Sequence, residues 1–156
     1  MDASTLFRLL IIFGFIYGMF KLKNYLKIKA NTTSSPKIYN LPTNGGYDLE
    51  IVGEASFQDN LLAICGRKTK NGHNKKTIAY LILEDNNPVD KNAVRIDTEG
   101  KTVGYLSRAV AIKYRDYLKH YQLTNIIGTC PAVIKGGWER DNGDSGHFGV
   151  WLDFTL

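Results

Sequence analysis

Glu84-Asp85-Asn86-Asn87-Pro88-Val89-Asp90-Lys91-Asn92-Ala93-Val94-Arg95-Ile96 is the stretch on which the reading of the chain turns. An apolar run, Ile78 to Leu83, ends where it begins, and an alternating run starts where it ends. Between the two lie polar, proline and turn-forming residues. Asn87-Pro88 initiates a turn, because the residue ahead of a proline is pushed out of the helical region. Asp90 and Asn92 are suited to bond nearby backbone N–H groups and so to hold a tight loop. Ala93 is small, which lets two backbones come close. A loop so constrained, set between two strands, is either a well-made connection or a place where a rigid scaffold carries function.

On its C-terminal side, Asn92 to Asp97 reads as a strand. Glu99-Gly100 makes a tight turn, and Lys101 to Leu106 pairs back. Gly104 inside that second strand points to a bulge or a close backbone approach. Ser107 then caps a helix that runs to about Tyr121. Its apolar stripe is Val110, Tyr114, Tyr117, Leu118 and Tyr121, and Arg108, Lys113, Arg115, Lys119 and His120 supply a solvated face.

On the N-terminal side, Thr77 to Glu84 reads as a strand buried on both faces. Arg67 to Lys76 carries five positive charges and no acid, with an Asn71-Gly72 turn inside it. Two readings of that loop stay open, a phosphate-contacting loop and a solvated hairpin tip. Tyr47 to Gly53 alternates as a half-buried strand. Ser56 to Cys65 reads as a short helix, with Ser56 as its N-cap and Asp59 near its positive end.

Toward the C-terminus, Ile126 to Ile134 is a strand whose Pro131 predicts an edge or a bulge. Gly136 to Gly146 is a glycine- and aspartate-rich excursion, and His147 to Leu156 closes the domain as a last strand. Asp141 to Gly146 lacks the ligand set of a calcium loop. About six strands and two helices with short connections predict a mainly β fold, a small antiparallel barrel with helices at its ends.

The chain has 156 residues and a formal net charge of +5. Arg8, Lys21, Lys23, Lys27 and Lys29 precede Lys37, with Asp2 as the acid of that part, which leaves fifteen basic and fourteen acidic residues in the remainder. The domain itself is therefore near neutral, and any phosphate binding has to rely on local patches. Cys65 and Cys130 stand in no metal-ligand spacing and are expected to be reduced and structural.

Leu9 to Phe20 is uncharged and mostly apolar. Extended back to Ala3 it spans roughly 27 Å as a helix, just enough for a bilayer if Arg8 snorkels. It is read as a signal anchor, a single transmembrane helix. A cleaved signal peptide and an interfacial or buried helix are the alternatives. The lysines from Lys21 to Lys29 outnumber Arg8, so the positive-inside rule places the C-terminal domain in the cytoplasm. In that orientation the Asn31-Thr32-Thr33 sequon meets no glycosylation machinery. The expected organisation is residues 1–29 as anchor and basic flank, 30–46 as linker, and 47–156 as the domain.

No nucleophile elbow, P-loop or dinucleotide fingerprint occurs, and His73, His120 and His147 fall in no ligand or triad spacing. The expectation is a protein that is not an enzyme and has no cofactor or metal.

Several motifs in one order and spacing resemble the HIRAN domain. They are Gly53 after a strand, the aromatic Phe57, the run Asn86 to Val94, and Val103-Gly104-Tyr105-Leu106 leading into a helix. The resemblance runs from about Leu49 to Leu156. It implies a modified OB-like barrel, which in helicase-like transcription factors captures single-stranded DNA at a 3′ end. It further implies that Asn87 and Asp90 touch the terminal nucleotide, that Phe57 stacks on a base, that Arg108 stands near a position meeting phosphate, and that Tyr105 faces the same groove. Two positions depart from the DNA-binding members: Ala55-Ser56-Phe57 replaces an Arg-aromatic-aromatic run, and Val89 replaces an aromatic. The expected function is a membrane-tethered nucleic-acid-binding module for single-stranded DNA or another nucleic acid, with 3′-end recognition as its sharpest form. The alternative is a membrane-anchored module that binds a peptide or protein.

Overall fold

The structure is a computed structural model that describes residues 17, 19, 21, 23 and 35–156. The chain divides into two compact units, Met1–Ser35 and Pro36–Leu156. In the first, Tyr17, Met19, Lys21 and Lys23 are helical, and the Lys21 ammonium lies 5.6 Å from the centroid of the Tyr17 ring. The rest of the segment read as a transmembrane anchor, and the Asn31 sequon, lie outside the described residues. Among the described residues no helix is long and apolar enough to cross a membrane.

The second unit is mainly β with two helices. Its strands are β1 (Lys37–Asn40), β2 (Leu49–Glu50), β3 (His73–Leu83), β4 (Val94–Thr98), β5 (Lys101–Tyr105), β6 (Ile126–Gly136) and β7 (Phe148–Leu152). Its helices are α1 (Gln58–Cys65), which follows a 3₁₀ turn over Glu54–Phe57, and α2 (Arg108–His120). The strand order is β2-β7-β6-β3-β4-β5, antiparallel throughout, and β1 joins β6 in parallel. The sheet curls into a half-barrel. Val52, just past β2, bridges to Tyr105 at the end of β5 through N–H···O bonds of 2.8 and 2.9 Å.

The core fills the concave side. Ala79 and Leu81 of β3, Val94 and Ile96 of β4, Val103 of β5, Ala132 and Ile134 of β6, and Val150 and Leu152 of β7 all point inward and exclude solvent. Alternation with period two puts them there. Leu61 and Ile64 of α1, and Ala111, Tyr114 and Leu118 of α2, cover the open sides. Among the described residues the buried core runs from Leu41 to Phe154, so Pro36–Leu156 carries it whole.

The predicted hairpin forms as expected. Glu99 and Gly100 both have positive φ, 49° and 74°, the pairing a two-residue hairpin turn needs. Gly104 meets its expectation too: a Cβ there would come within 2.7 Å of both Ile51 Cδ1 and the Val52 carbonyl oxygen, and the register shifts beside it, with Val103 of β5 as the extra residue between the Ile96–Gly104 and Asp97–Thr102 pairs. Ser107 caps α2, its hydroxyl accepting from Val110 N.

Four local expectations are corrected. Ser56 does not cap α1, because the 3₁₀ turn precedes that helix and Phe57 occupies the cap position without a side-chain bond. β3 is not buried on both faces. Ile78 and Tyr80 remain 47% and 38% exposed on the outer face, which no second layer covers among the described residues of Pro36–Leu156. Pro131 lies in a central strand rather than on an edge. β6 pairs with β1 up to Thr129 and with β7 from Ala132, so the missing N–H of Pro131 falls at the change of partner, while its carbonyl accepts from Asp153 N at 2.9 Å. Finally, part of the stretch read as linker is domain. Lys37–Asn40 form β1, Leu41 is buried, and Asn44 and Gly45 donate their backbone N–H groups to the buried Asp153 carboxylate at 3.0–3.1 Å.

Candidate nucleic-acid interface

β3 ends at Leu83 and β4 begins at Val94, and the ten residues between them form a loop held by its own backbone. Glu84 N donates to Ala93 O at 3.0 Å, Asn87 N to Glu84 O at 3.0 Å, and Ala93 N to Asp90 O at 2.9 Å. Side chains complete it. Asn87 Oδ1 accepts from Val89 N (2.9 Å) and Asp90 N (3.1 Å), and Asn87 Nδ2 donates to Glu84 Oε2 at 2.8 Å. Asp90 Oδ1 accepts from Asn92 N at 2.8 Å. This is the turn chemistry of Asn and Asp expected from the sequence.

Helix α2 holds the loop from the other side. Arg115 donates to Asn92 O (2.9 Å), Ala93 O (3.0 Å) and Asp85 Oδ1 (2.7 Å). Arg108, two turns earlier on the same helix, donates from Nε to Asp90 Oδ2 at 3.0 Å. Arg115 was expected on a solvated face, yet only a fifth of its side chain is exposed. The signal that could have found it is its spacing of seven from Arg108, which puts both arginines on one side of a helix.

Loop, β5 and the start of α2 border an open groove of about 430 Å³ lined by Asn87, Val89, Asp90, Tyr105, Leu106 and Arg108, together with Ala93 and Ala111. Four of the five residues singled out from the sequence, Asn87, Asp90, Tyr105 and Arg108, therefore meet in one groove. The fifth, Phe57, is not in its lining. Its ring lies against Tyr105, centroids 6.2 Å apart and tilted by 48°.

The bonding pattern separates these residues into two kinds. Asn87 bonds inside the loop and Asp90 bonds both the loop and Arg108, with both Asp90 oxygens and the Asn87 oxygen already accepting. Arg108 uses Nε alone, and its side chain is 73% exposed, so its terminal fork faces solvent at the groove. Val89 is 86% exposed at the rim. What the groove offers a ligand is one guanidinium fork, the Tyr105 ring and an apolar wall.

The local electrostatics follow. The Asn92 backbone N–H, and behind it Arg108, hold the Asp90 carboxyl below its ordinary pKa. The Asn87 amide, with Arg95 behind it, does the same for Glu84. Burial, with the nearby Glu84 carboxylate, raises the Tyr105 hydroxyl. Arg95 bonds Glu84 Oε1 at 2.7 Å and both Asp97 oxygens at 2.9 and 3.1 Å.

The basic loop Arg67–Lys76 does not join this groove. It opens β3 at the end opposite Glu84, about 33 Å away along ten residue steps. Lys70 pairs with Asp141, Lys75 with Glu99 and the Ile64 carbonyl, and Lys76 lies over the Tyr47 ring. Among the described residues no cluster of His, Cys, Asp and Glu could hold a metal ion.

No family model and no curated protein matches the chain. Among solved structures, the crystal structure of the HIRAN domain of human HLTF is similar at 19% identity, over 67% of this chain and 71% of that one, with a TM-score of 0.28.

Proposed function

We propose that Pro36–Leu156 is a nucleic-acid-binding module that takes a single strand into the groove between the Glu84–Ala93 loop and α2, and that the N-terminal segment tethers it to a membrane with the domain on the cytoplasmic side. It is a binding module rather than an enzyme. The observation that carries this reading is the convergence of Asn87, Asp90, Tyr105 and Arg108 on one groove. These are residues that the HIRAN resemblance marks for strand contact. In it the Arg108 fork meets a phosphate, the Tyr105 ring, with Phe57 packed against it, offers a surface to a base, and the loop sets the space for a strand end.

The full chain in mild detergent, titrated with labelled oligothymidylate carrying a free or a blocked 3′ end over a salt series, tests this. Binding is expected at about 50 mM salt, with a shallow log–log slope near −0.7 because one cation meets phosphate. The free end is expected to bind more tightly. Absence of binding at low salt overturns the nucleic-acid reading, and equal binding of both ends overturns end recognition. A reporter fused after Leu156 is expected to read as cytoplasmic, and a signal from the opposite side overturns the orientation.

One observation favours a second reading. Val89 is apolar, almost fully exposed and continuous with a groove wall of Leu106 and Ala111. A peptide with an apolar side chain would cover it.

A further inference from the structure

We infer that Glu84 is the positioning residue of the groove: its carboxylate fixes which way the Asn87 amide faces, and through that amide the shape of the rim. The inference rests on the groove being the binding site.

The two ends of the Asn87 amide differ: the oxygen accepts and the NH₂ donates. Asn87 Oδ1 accepts the N–H groups of Val89 and Asp90, the two rim residues. An amide turned over would present its NH₂ to those two donors and leave both unpaired. What prevents the turn is Glu84 Oε2, a carboxylate oxygen that only accepts, 2.8 Å from Asn87 Nδ2. Glu84 is itself immobilised. Its backbone N–H and C=O are bonded to Ala93 and Asn87. Its Oε1 accepts from Arg95 Nη1, whose guanidinium is clamped by Asp97. One side chain outside the lining thus ties the rim amide of Asn87 to the clamped Arg95 of β4.

The test uses the full chain in mild detergent, with oligothymidylate as probe and amide hydrogen exchange as a second readout. Glu84→Gln keeps an acceptor for Arg95 but faces Asn87 with a donor or forces Arg95 off. Its Val89 and Asp90 amides are expected to exchange about tenfold faster, because loop amides open locally, while Leu81 and Val94 stay as in the wild type. Affinity for the oligonucleotide is expected to fall by about the same factor. Adding Asn87→Asp reverses the pair. The introduced glutamine then donates to the introduced aspartate, whose other oxygen still accepts the rim amides, and both readouts should return toward wild type. Unchanged rim exchange in Glu84→Gln, or a double variant no better than the single one, overturns the inference. If the exchange behaves as expected and the wild type binds no strand, the positioning role stands and the nucleic-acid reading falls.

Discussion

Removing Arg115 separates the two arginines of α2 by role. Its guanidinium makes three contacts: the Asn92 carbonyl, the Ala93 carbonyl and the Asp85 carboxylate. A bond from a charged donor is worth about 1.5–3 kcal/mol, but each contact here has a discount. Asn92 is exposed, so water replaces the arginine at its carbonyl. The Ala93 carbonyl also accepts from Glu84 N and is never left bare. Asp85 is 72% exposed, which limits that ion pair to under about 1 kcal/mol. Taking about 1 kcal/mol for each carbonyl and half that for the pair, Arg115→Ala should cost about 2–3 kcal/mol. Arg108→Ala should cost under about 0.5 kcal/mol, since that side chain makes one exposed pair. Urea unfolding of residues 36–156, which hold the whole described core, measures both. Arg115→Lys should recover less than half of the loss, because an ammonium lacks the planar fork that spans two carbonyls and a carboxylate. A cost below about 0.5 kcal/mol for Arg115→Ala refutes the claim that this residue staples the loop.

Two further outcomes follow from the same geometry. The Glu84 carboxyl has a folded pKa below its unfolded value near 4.5, through its bond to Asn87 and then Arg95. Its contribution to stability is therefore present above pH 4.5 and is lost as pH falls through the lower folded value. The urea midpoint of the wild type should drop more steeply in that acid window than that of Glu84→Gln, and parallel curves would refute it. Cys130 is buried and its thiol is pushed up to about 12, chiefly by burial. A thiol reagent at pH 8 should therefore label the native domain at no more than one site, the half-buried Cys65; two fast equivalents per chain would contradict the packing.

Much of this fold was legible because its decisive signals are local. The hairpin of β4 and β5 was readable from Glu99-Gly100 between two alternating runs, and α2 from Ser107 followed by a stripe of period 3.6. The loop itself was readable from Asn87-Pro88, Asp90 and Asn92, whose side chains bond amides two or three residues away. Motif order then brought Asn87, Asp90, Tyr105 and Arg108 together on paper, and the structure brings them together in space.

What the sequence alone left undecided depends on partners far along the chain. Lys37–Asn40 has the composition of a linker and becomes a strand because β6, nearly ninety residues later, has an open edge for it. Pro131 is tolerated mid-sheet because that edge changes partner there. The basic loop and the groove belong to opposite ends of β3, a separation set by one strand's length that composition does not carry. The loop at Glu84–Ala93 shows the division most clearly. Turn propensity determined that it would be tight, since those bonds span only a few residues. Tertiary structure decided which of its side chains remain for a ligand: Asn87 is occupied within the loop, Asp90 is shared between the loop and Arg108, Arg115 is occupied in bracing the loop, and the Arg108 fork is left facing the groove. Hydrogen-bonding capacity is finite, and only the folded arrangement shows where each donor and acceptor has already been used.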